Sequence, residues 1–252
     1  MTTRNLLRGA QNSYLPPPLR VLVNALPLLL SLLLSAPPAP SARTLNTEGF
    51  RLYQAGQYTE ALEKFRAATR ANPKMALAHY NVAATLGVLR QKGKICEAEA
   101  YRETILQYLK RSVELDKRRL ARAREDSDLD VIRDTVGWQL LLGRSLKKTS
   151  DLPEILQKVT WSIIPAGVMS PRLTLTFSAS GRVVLKTAEV DTTSEKGGLL
   201  RREEQGTYTL TGRAVRLTFP KRQPVQGTLT ERGALELGTL GTFVDSPPEC
   251  DA

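Results

Sequence analysis

The sequence predicts an α+β multidomain protein, with N-terminal α-helical hairpins followed by an antiparallel β meander that closes as a barrel or a sandwich. Three observations carry this prediction. Between residues 46 and 73, apolar and small side chains recur at helical spacing, whereas after Leu156 they alternate along short runs. The third observation is the charge. The 252 residues carry a formal net charge of +11, of which residues 1–42 hold +3, residues 43–150 hold +8 and residues 151–252 hold none. The chain therefore reads as a leader (1–42), a helical domain (43–150), a β domain (157–246) and a short tail (247–252).

Residues 1–20 hold Arg4, Arg8 and Arg20 and no acid, and VLVNALPLLLSLLLS follows at 21–35, then APPAPSAR. A basic start, an apolar run and then small residues are the plan of a secretory signal peptide. A spanning helix needs roughly 20 apolar residues, and this run is shorter and contains Asn24 and Pro27. Cleavage near Ser41 or Ala42 is expected, leaving an N-terminus near residue 43 and a periplasmic or secreted protein. The alternative is an uncleaved N-terminal membrane anchor. In an oxidising compartment Cys96 and Cys250 are a candidate disulfide pair, which geometry rather than sequence decides.

In the next segment, NTEGFRLYQAGQYTEALEKFRAATRANP, the residues Tyr58, Ala61, Phe65 and Ala68 share one helical face. Gln54–Gln57 forms a turn around Gly56, and Pro73 ends the second helix. Gly49, Ala61 and Ala68 are small where two helices must approach closely. With this set in place, the stretch resembles a tetratricopeptide repeat. Gly49, Gly56, Tyr58, Ala61, Phe65, Ala68 and Pro73 stand at that family's spacing, while Glu48 and Leu45 depart from it in the first helix. Residues 76–117 resemble a second copy enlarged by about ten residues around QKGKICEAEA. DLDVIRDTVGWQLLLGRSL suggests a degenerate third pair with Val131, Val136, Leu140 and Leu141 facing inward.

The resemblance implies a concave groove, lined by the first helices, that takes a peptide or helix of another protein. Carried over by position, its wall comprises Asn46, Phe50, Tyr53, Gln54, Tyr80, Asn81 and Ala84. A subset of the family clamps a C-terminal carboxylate with a Lys and two Asn, but here Asn46 and Phe50 occupy the first two positions and only Asn81 agrees. Tyr53 and Tyr80 suit a binding hot spot or equally the packing between helices. The basic cluster Lys117, Arg118, Arg119, Arg122 and Arg124 runs straight into the acidic EDSDLD. Such a juxtaposition reads as a solvated helix end or as a surface for an anionic envelope partner. Nucleic acid is not expected, because no aromatics interleave with these cations.

The β domain shows LTLTF at 173–177, GTYTL at 206–210, VRLTF at 215–219, VQGTLT at 225–230, ALELG at 234–238 and GTFV at 241–244. Ser180-Gly181, Thr211-Gly212 and Arg232-Gly233 separate runs as hairpin turns do. The polar segment 187–205 is expected to be a long hairpin loop. Trp161, the FSASGR turn and GTYTLTG resemble small lipocalin-like barrels of bacterial envelope proteins. That resemblance implies a ligand at the barrel mouth. Set against it, Trp161, Phe177, Tyr208 and Phe219 read as core, because a small barrel can be filled by its own side chains.

Composition bounds the function. With one His and two Cys, neither a His-rich zinc site nor an ordinary structural zinc site can be assembled. There is no G-x-S-x-G, no phosphate-loop motif and no G-x-G-x-x-G. The sequence thus points to an exported, non-enzymatic scaffold or adaptor without cofactors that mediates protein–protein interaction in the cell envelope. The alternative is a small-ligand carrier built on the β domain. An enzymatic reading would have to rest on His79 or on unpaired carboxylates.

Overall fold

The computed structural model describes residues 39–163, 170–192, 198–247 and 250. The signal-like apolar run lies outside them. Among the described residues no helix is long and apolar enough to cross a membrane. Pro40–Ala252 form one compact unit. Helices occupy its first part and a closed antiparallel barrel of eight strands its second.

Helices α1 (Ala42–Gln54) and α2 (Tyr58–Ala71) form the first hairpin. Ser41 caps α1 by accepting from the Thr44 amide at 3.1 Å, which satisfies one of the amides left free at a helix start. The turn between them places Gly56 at φ 76°, a left-handed geometry that glycine adopts without steric cost. A Cβ at Gly49 would stand 2.8 Å from the Phe65 ring, so that glycine sets the approach of the two helices. The second hairpin is α3 (Ala76–Gln91) and α5 (Arg102–Leu115), with the insertion folded as the short α4 (Ile95–Ala98). Ten of the sixteen residues of α3 are buried, including the unbroken run Val82–Leu89, because neighbours cover it on several sides.

The third unit is not a helix hairpin. It consists of α6 (Arg118–Glu125), a 3₁₀ turn over Ser127–Ile132 and the short α7 (Val136–Leu141). The 3₁₀ turn buries Leu129 and Ile132, and α7 buries Val136 and Trp138. Leu140, expected inside, is 44% exposed, because the helical phase restarts at Thr135 and turns Trp138 and Gln139 inward instead.

Then comes α8 (Leu152–Lys158), with a proline in its first turn. Leu152, Ile155 and Leu156 share one face, and they pack with Val159 into the same core as the barrel interior. The strands are β1 (Trp161–Ile163), β2 (Arg172–Phe177), β3 (Arg182–Val190), β4 (Leu199–Thr211), β5 (Ala214–Thr218), β6 (Val225–Leu229), β7 (Leu235–Leu237) and β8 (Gly241–Val244). Each pairs with the next, and β1 pairs with β8 to close the ring. Closure decides between barrel and sandwich, and it leaves no open edge. Trp161 is fully buried under α8, and its indole donates to the Leu156 carbonyl at 3.0 Å.

One expectation is corrected here. Most of residues 187–205 is strand rather than loop: Thr187 to Val190 pair with Arg202 back to Leu199. The segment is polar because this end of the hairpin has solvent on its outer face and little apolar cover, and backbone pairing needs no apolar side chain.

The barrel and the helices are joined by polar contacts as well as by the shared core. The Asp245 carboxylate, just after β8, accepts from the Val136 amide at 2.7 Å. Arg102 donates to the Asp245 carbonyl at 3.0 Å and pairs with Asp134 at 3.2 Å. Burial pushes the Asp245 carboxyl above the usual carboxylate range, with the Val136 amide opposing it. Cys250 is bonded to Cys96 of α4, with Cα atoms 5.8 Å apart.

Candidate functional site

The first helices of the two hairpins, α1 and α3, lie side by side and form the wall of a groove. Phe50, Tyr53, Tyr80, Asn81 and Ala84 line it around a cavity of about 330 Å³. Asn46 is buried at its base and accepts from the Asn81 amide at 3.0 Å, so these two side chains tie α1 to α3. Gln54 is exposed and does not line the cavity. Phe50 is 50% exposed at the mouth, the most open aromatic position of the groove.

The opposite wall is one that sequence reasoning missed. It is supplied by the third unit through Arg119, Arg122, Asp126 and Asp128. The Tyr80 hydroxyl donates to Asp126 at 2.6 Å, and the Tyr53 hydroxyl donates to Asp128. The Tyr53 ring also stacks edge-on against Tyr58 with centroids 5.2 Å apart. The acidic run is therefore not simply a solvated helix end, since two of its carboxylates latch the third unit onto the repeat helices. Arg133 holds the corner itself, donating to the Arg124 carbonyl at 2.6 Å and the Asp126 carbonyl at 3.1 Å, groups a helix end leaves unpaired. Gln91 donates to the Ser127 carbonyl at 2.9 Å. Of the cations, Arg118 and Arg119 pair with Asp116 at 2.9 and 3.4 Å, while Arg122 stays exposed beside the groove.

Gly87 permits the latch. A Cβ there would stand 1.9 Å from the Asp128 carbonyl oxygen, so α3 and the 3₁₀ turn touch backbone to backbone. Asp126 and Asp128 could not reach the tyrosines from farther out. The acidic D-S-D run at 126–128 was visible in the sequence, but its tyrosine partners lie 46 and 75 residues away.

Burial, and then the hydrogen bonds to Asp128 and Asp126, hold the Tyr53 and Tyr80 hydroxyls protonated well above the usual tyrosine range. Burial also pushes the Asp128 carboxyl up, opposed by the Tyr53 hydrogen bond and helped by the Asp126 charge. A phenol that binds its proton more tightly when folded stabilises the fold fully below its unfolded pKa of about 10, and that stability is lost as pH rises further. Tyr80→Phe is expected to cost about 1–3 kcal/mol near neutral pH, because Asp126 loses its donor. The gap from wild type should shrink above about pH 10, read as thermal midpoints across alkaline buffers. A gap constant with pH would mean that the hydroxyl carries no such linkage.

His79, on which histidine chemistry would depend, donates through Nε2 to the Pro73 carbonyl at 3.0 Å and lies against the Tyr108 ring. Among the described residues no group of three His, Cys, Asp or Glu side chains could hold a metal ion. In the barrel, Trp161, Phe177 and Phe219 are buried in the shared core, and Tyr208 is half-buried with its hydroxyl donating to the Ser178 carbonyl at 3.0 Å.

The segment that carries the groove-forming helices, from within α1 through α2 and into α3, also matches a known family. The family model described as a TPR repeat matches residues 49–87. The match runs from the close contact at Gly49 to the glycine under the latch, so it covers most of the first-helix wall. No curated protein and no solved structure matches the chain. The TPR repeat suggests a protein–protein interaction scaffold, and the closed eight-stranded antiparallel barrel runs up and down in chain order.

Proposed function

We propose that the protein is an exported, non-catalytic adaptor of the cell envelope whose helical groove binds an extended segment of another protein. One observation carries this reading: the groove is open, with Phe50 half in solvent at its mouth, and no barrel residue lines it. The barrel packs on α7 and α8 instead and leaves the concave face of the TPR repeat free.

Because the hydroxyls of Tyr53 and Tyr80 are spent on the latch, a partner meets their rings, the apolar Phe50 and the amide of Asn81. Exposed aromatics in partly desolvated clefts supply a disproportionate share of binding energy. Phe50→Asp removes this apolar contact without disturbing a buried side chain. Its expected cost is about 2 kcal/mol, roughly a 30-fold loss of affinity, for the partner captured by the wild-type protein from an envelope extract, with thermal stability unchanged. Equal retention of that partner by both proteins rules out the groove. Export rests on the basic and apolar N-terminus, and a mature N-terminal residue near 43 is the expected result of sequencing. An intact Met1 removes the signal-peptide reading.

A further inference from the structure

Closure leaves the ring itself without an edge, but one hairpin outruns the ring. β3 and β4 stay paired from Arg182 opposite Thr207 out to Val190 opposite Leu199. On its other side β4 is accompanied by β5 only from Thr207 to Thr211. The next hydrogen-bonded pair beyond Thr207 and Thr218 would set Gln205 against Pro220, and proline has no N–H to give. From Leu199 to Gln205, β4 therefore carries a bare edge.

Bonds near the two ends of β4 fix which backbone groups face that edge. The Tyr208 amide donates to the Gly181 carbonyl at 2.9 Å, and the Asp191 amide donates to the Gly198 carbonyl at 2.9 Å. Even-numbered residues thus point their backbone groups at β3, and the register between these bonds is unbroken, so odd-numbered ones point away. Leu199, Arg201, Glu203 and Gln205 present N–H and C=O to the open side, and all four are exposed. Such an edge is a template for another strand, and charges on it ordinarily keep strands off. Here the charges are ordered: Leu199–Gln205 reads LLRREEQ, cations first and acids after. That order repels a copy lying parallel and matches a copy lying antiparallel.

We propose that two copies of this chain associate by antiparallel pairing of their β4 edges, with Arg201 of each opposite the partner's Glu203. The same register sets Leu199 opposite the partner's Gln205, and each of these pairs exchanges two backbone hydrogen bonds. Among the described residues Arg201 makes no ion pair, and Glu203 is approached by Lys186 at 4.0 Å and by the Gln205 amide at 3.4 Å, so both charges are available to a partner. Arg202 meets its own copy on the two-fold axis, but Glu189 already neutralises it at 2.9 Å. Glu204, opposite the partner's Leu200, is held by Arg222. A wholly acidic or wholly basic strand would match only half of this edge, whereas a second copy matches both halves. The inference is independent of the groove.

Sedimentation velocity of the full chain over a dilution series tests this, and the wild type is expected to pass from dimer to monomer on dilution. One short edge buries less than a standard interface, so the series extends to high protein concentration. Arg201→Glu sets carboxylate against carboxylate and Glu203→Arg sets guanidinium against guanidinium, so either variant alone should lose affinity about 30-fold. Mixing the two variants restores both attractive pairs, and the mixture should form a heterodimer as tight as the wild-type dimer. Phe50→Asp in the groove should leave the dimer in place. The Leu199 and Gln205 amides should exchange hydrogen faster in Arg201→Glu than in wild type at the same concentration. The proposal is overturned by a wild type that stays monomeric throughout, by a dimer that tolerates either charge reversal, by a mixture that does not associate, by loss of the dimer with Phe50→Asp, or by equal exchange at those two amides.

Discussion

Replacing Cys96 and Cys250 together by serine is expected to produce the largest loss of stability available from one interaction in this protein. The bridge spans 154 residues. In the chain-entropy account, closing a loop of that size in the unfolded chain is worth about 5 kcal/mol, with measured gains often smaller. For a unit of this size each kcal/mol moves the melting midpoint by about 2–4 °C, so a fall of roughly 10–20 °C is expected. Wild type should show the same fall in reductant, and the double variant should ignore reductant. A midpoint that reductant leaves in place would mean that Asp245 and the shared core hold the two halves without the bridge. Those contacts are why the reduced protein should still fold: Asp245 on the Val136 amide and α8 in the barrel core do not depend on either cysteine.

Gly87→Ala is expected to destabilise by about 3 kcal/mol, although alanine is the better helix former. In open space the change would stabilise a helix by about 1 kcal/mol, so the sign of the effect reports the local geometry. Here the added Cβ meets the Asp128 carbonyl oxygen at 1.9 Å and the Asp128 carbonyl carbon at 2.9 Å. Backbone cannot rotate away as a side-chain end can, so the 3₁₀ turn must lift off α3. Urea unfolding gives the magnitude, and hydrogen exchange at the Leu129 amide, which bonds the Asp126 carbonyl at 3.1 Å, should accelerate ahead of the rest. Gly137→Ala is the contrasting case, because its added Cβ meets only the Leu106 side chain, at 2.6 Å, and that methyl can swing aside. A Gly87→Ala protein as stable as wild type would show that the latch is not under α3. Loss of the latch also releases Tyr53 and Tyr80, so the variant should bind a groove partner differently from wild type.

How far the sequence could be read depended on the range of the interaction. The first hairpin was legible because its signals are local. Tyr58, Ala61, Phe65 and Ala68 sit on one face, Gly56 turns the chain and Pro73 follows the helix end. Alternation in LTLTF and VRLTF marked β2 and β5 for the same reason. The hairpin arms at 187–190 and 199–205 were hidden because apolar and polar side chains do not alternate along them, and only the backbone register pairs them. Leu140 was misplaced because a 3₁₀ turn precedes α7 and resets the helical phase.

The groove divides in the same way. Phe50, Tyr53, Tyr80, Asn81 and Ala84 were found because a repeat places them by number along a helix, whereas Asn46 lies beneath the surface and Gln54 beyond its edge. The facing wall, Arg119, Arg122, Asp126 and Asp128, came from another unit that follows no repeat pattern. By itself the sequence determined where helices give way to strands, which residues line one side of the groove, and that the charge of the middle segment exceeds that of the barrel. Local spacing and composition contain that much. Only the tertiary structure decided that the ring closes, that α8 shares the barrel core, that Cys96 meets Cys250, and that the acidic run latches two tyrosines. Each of these is a contact between residues far apart in the chain, and a periodicity of two or 3.6 residues holds no information about which distant surface completes it.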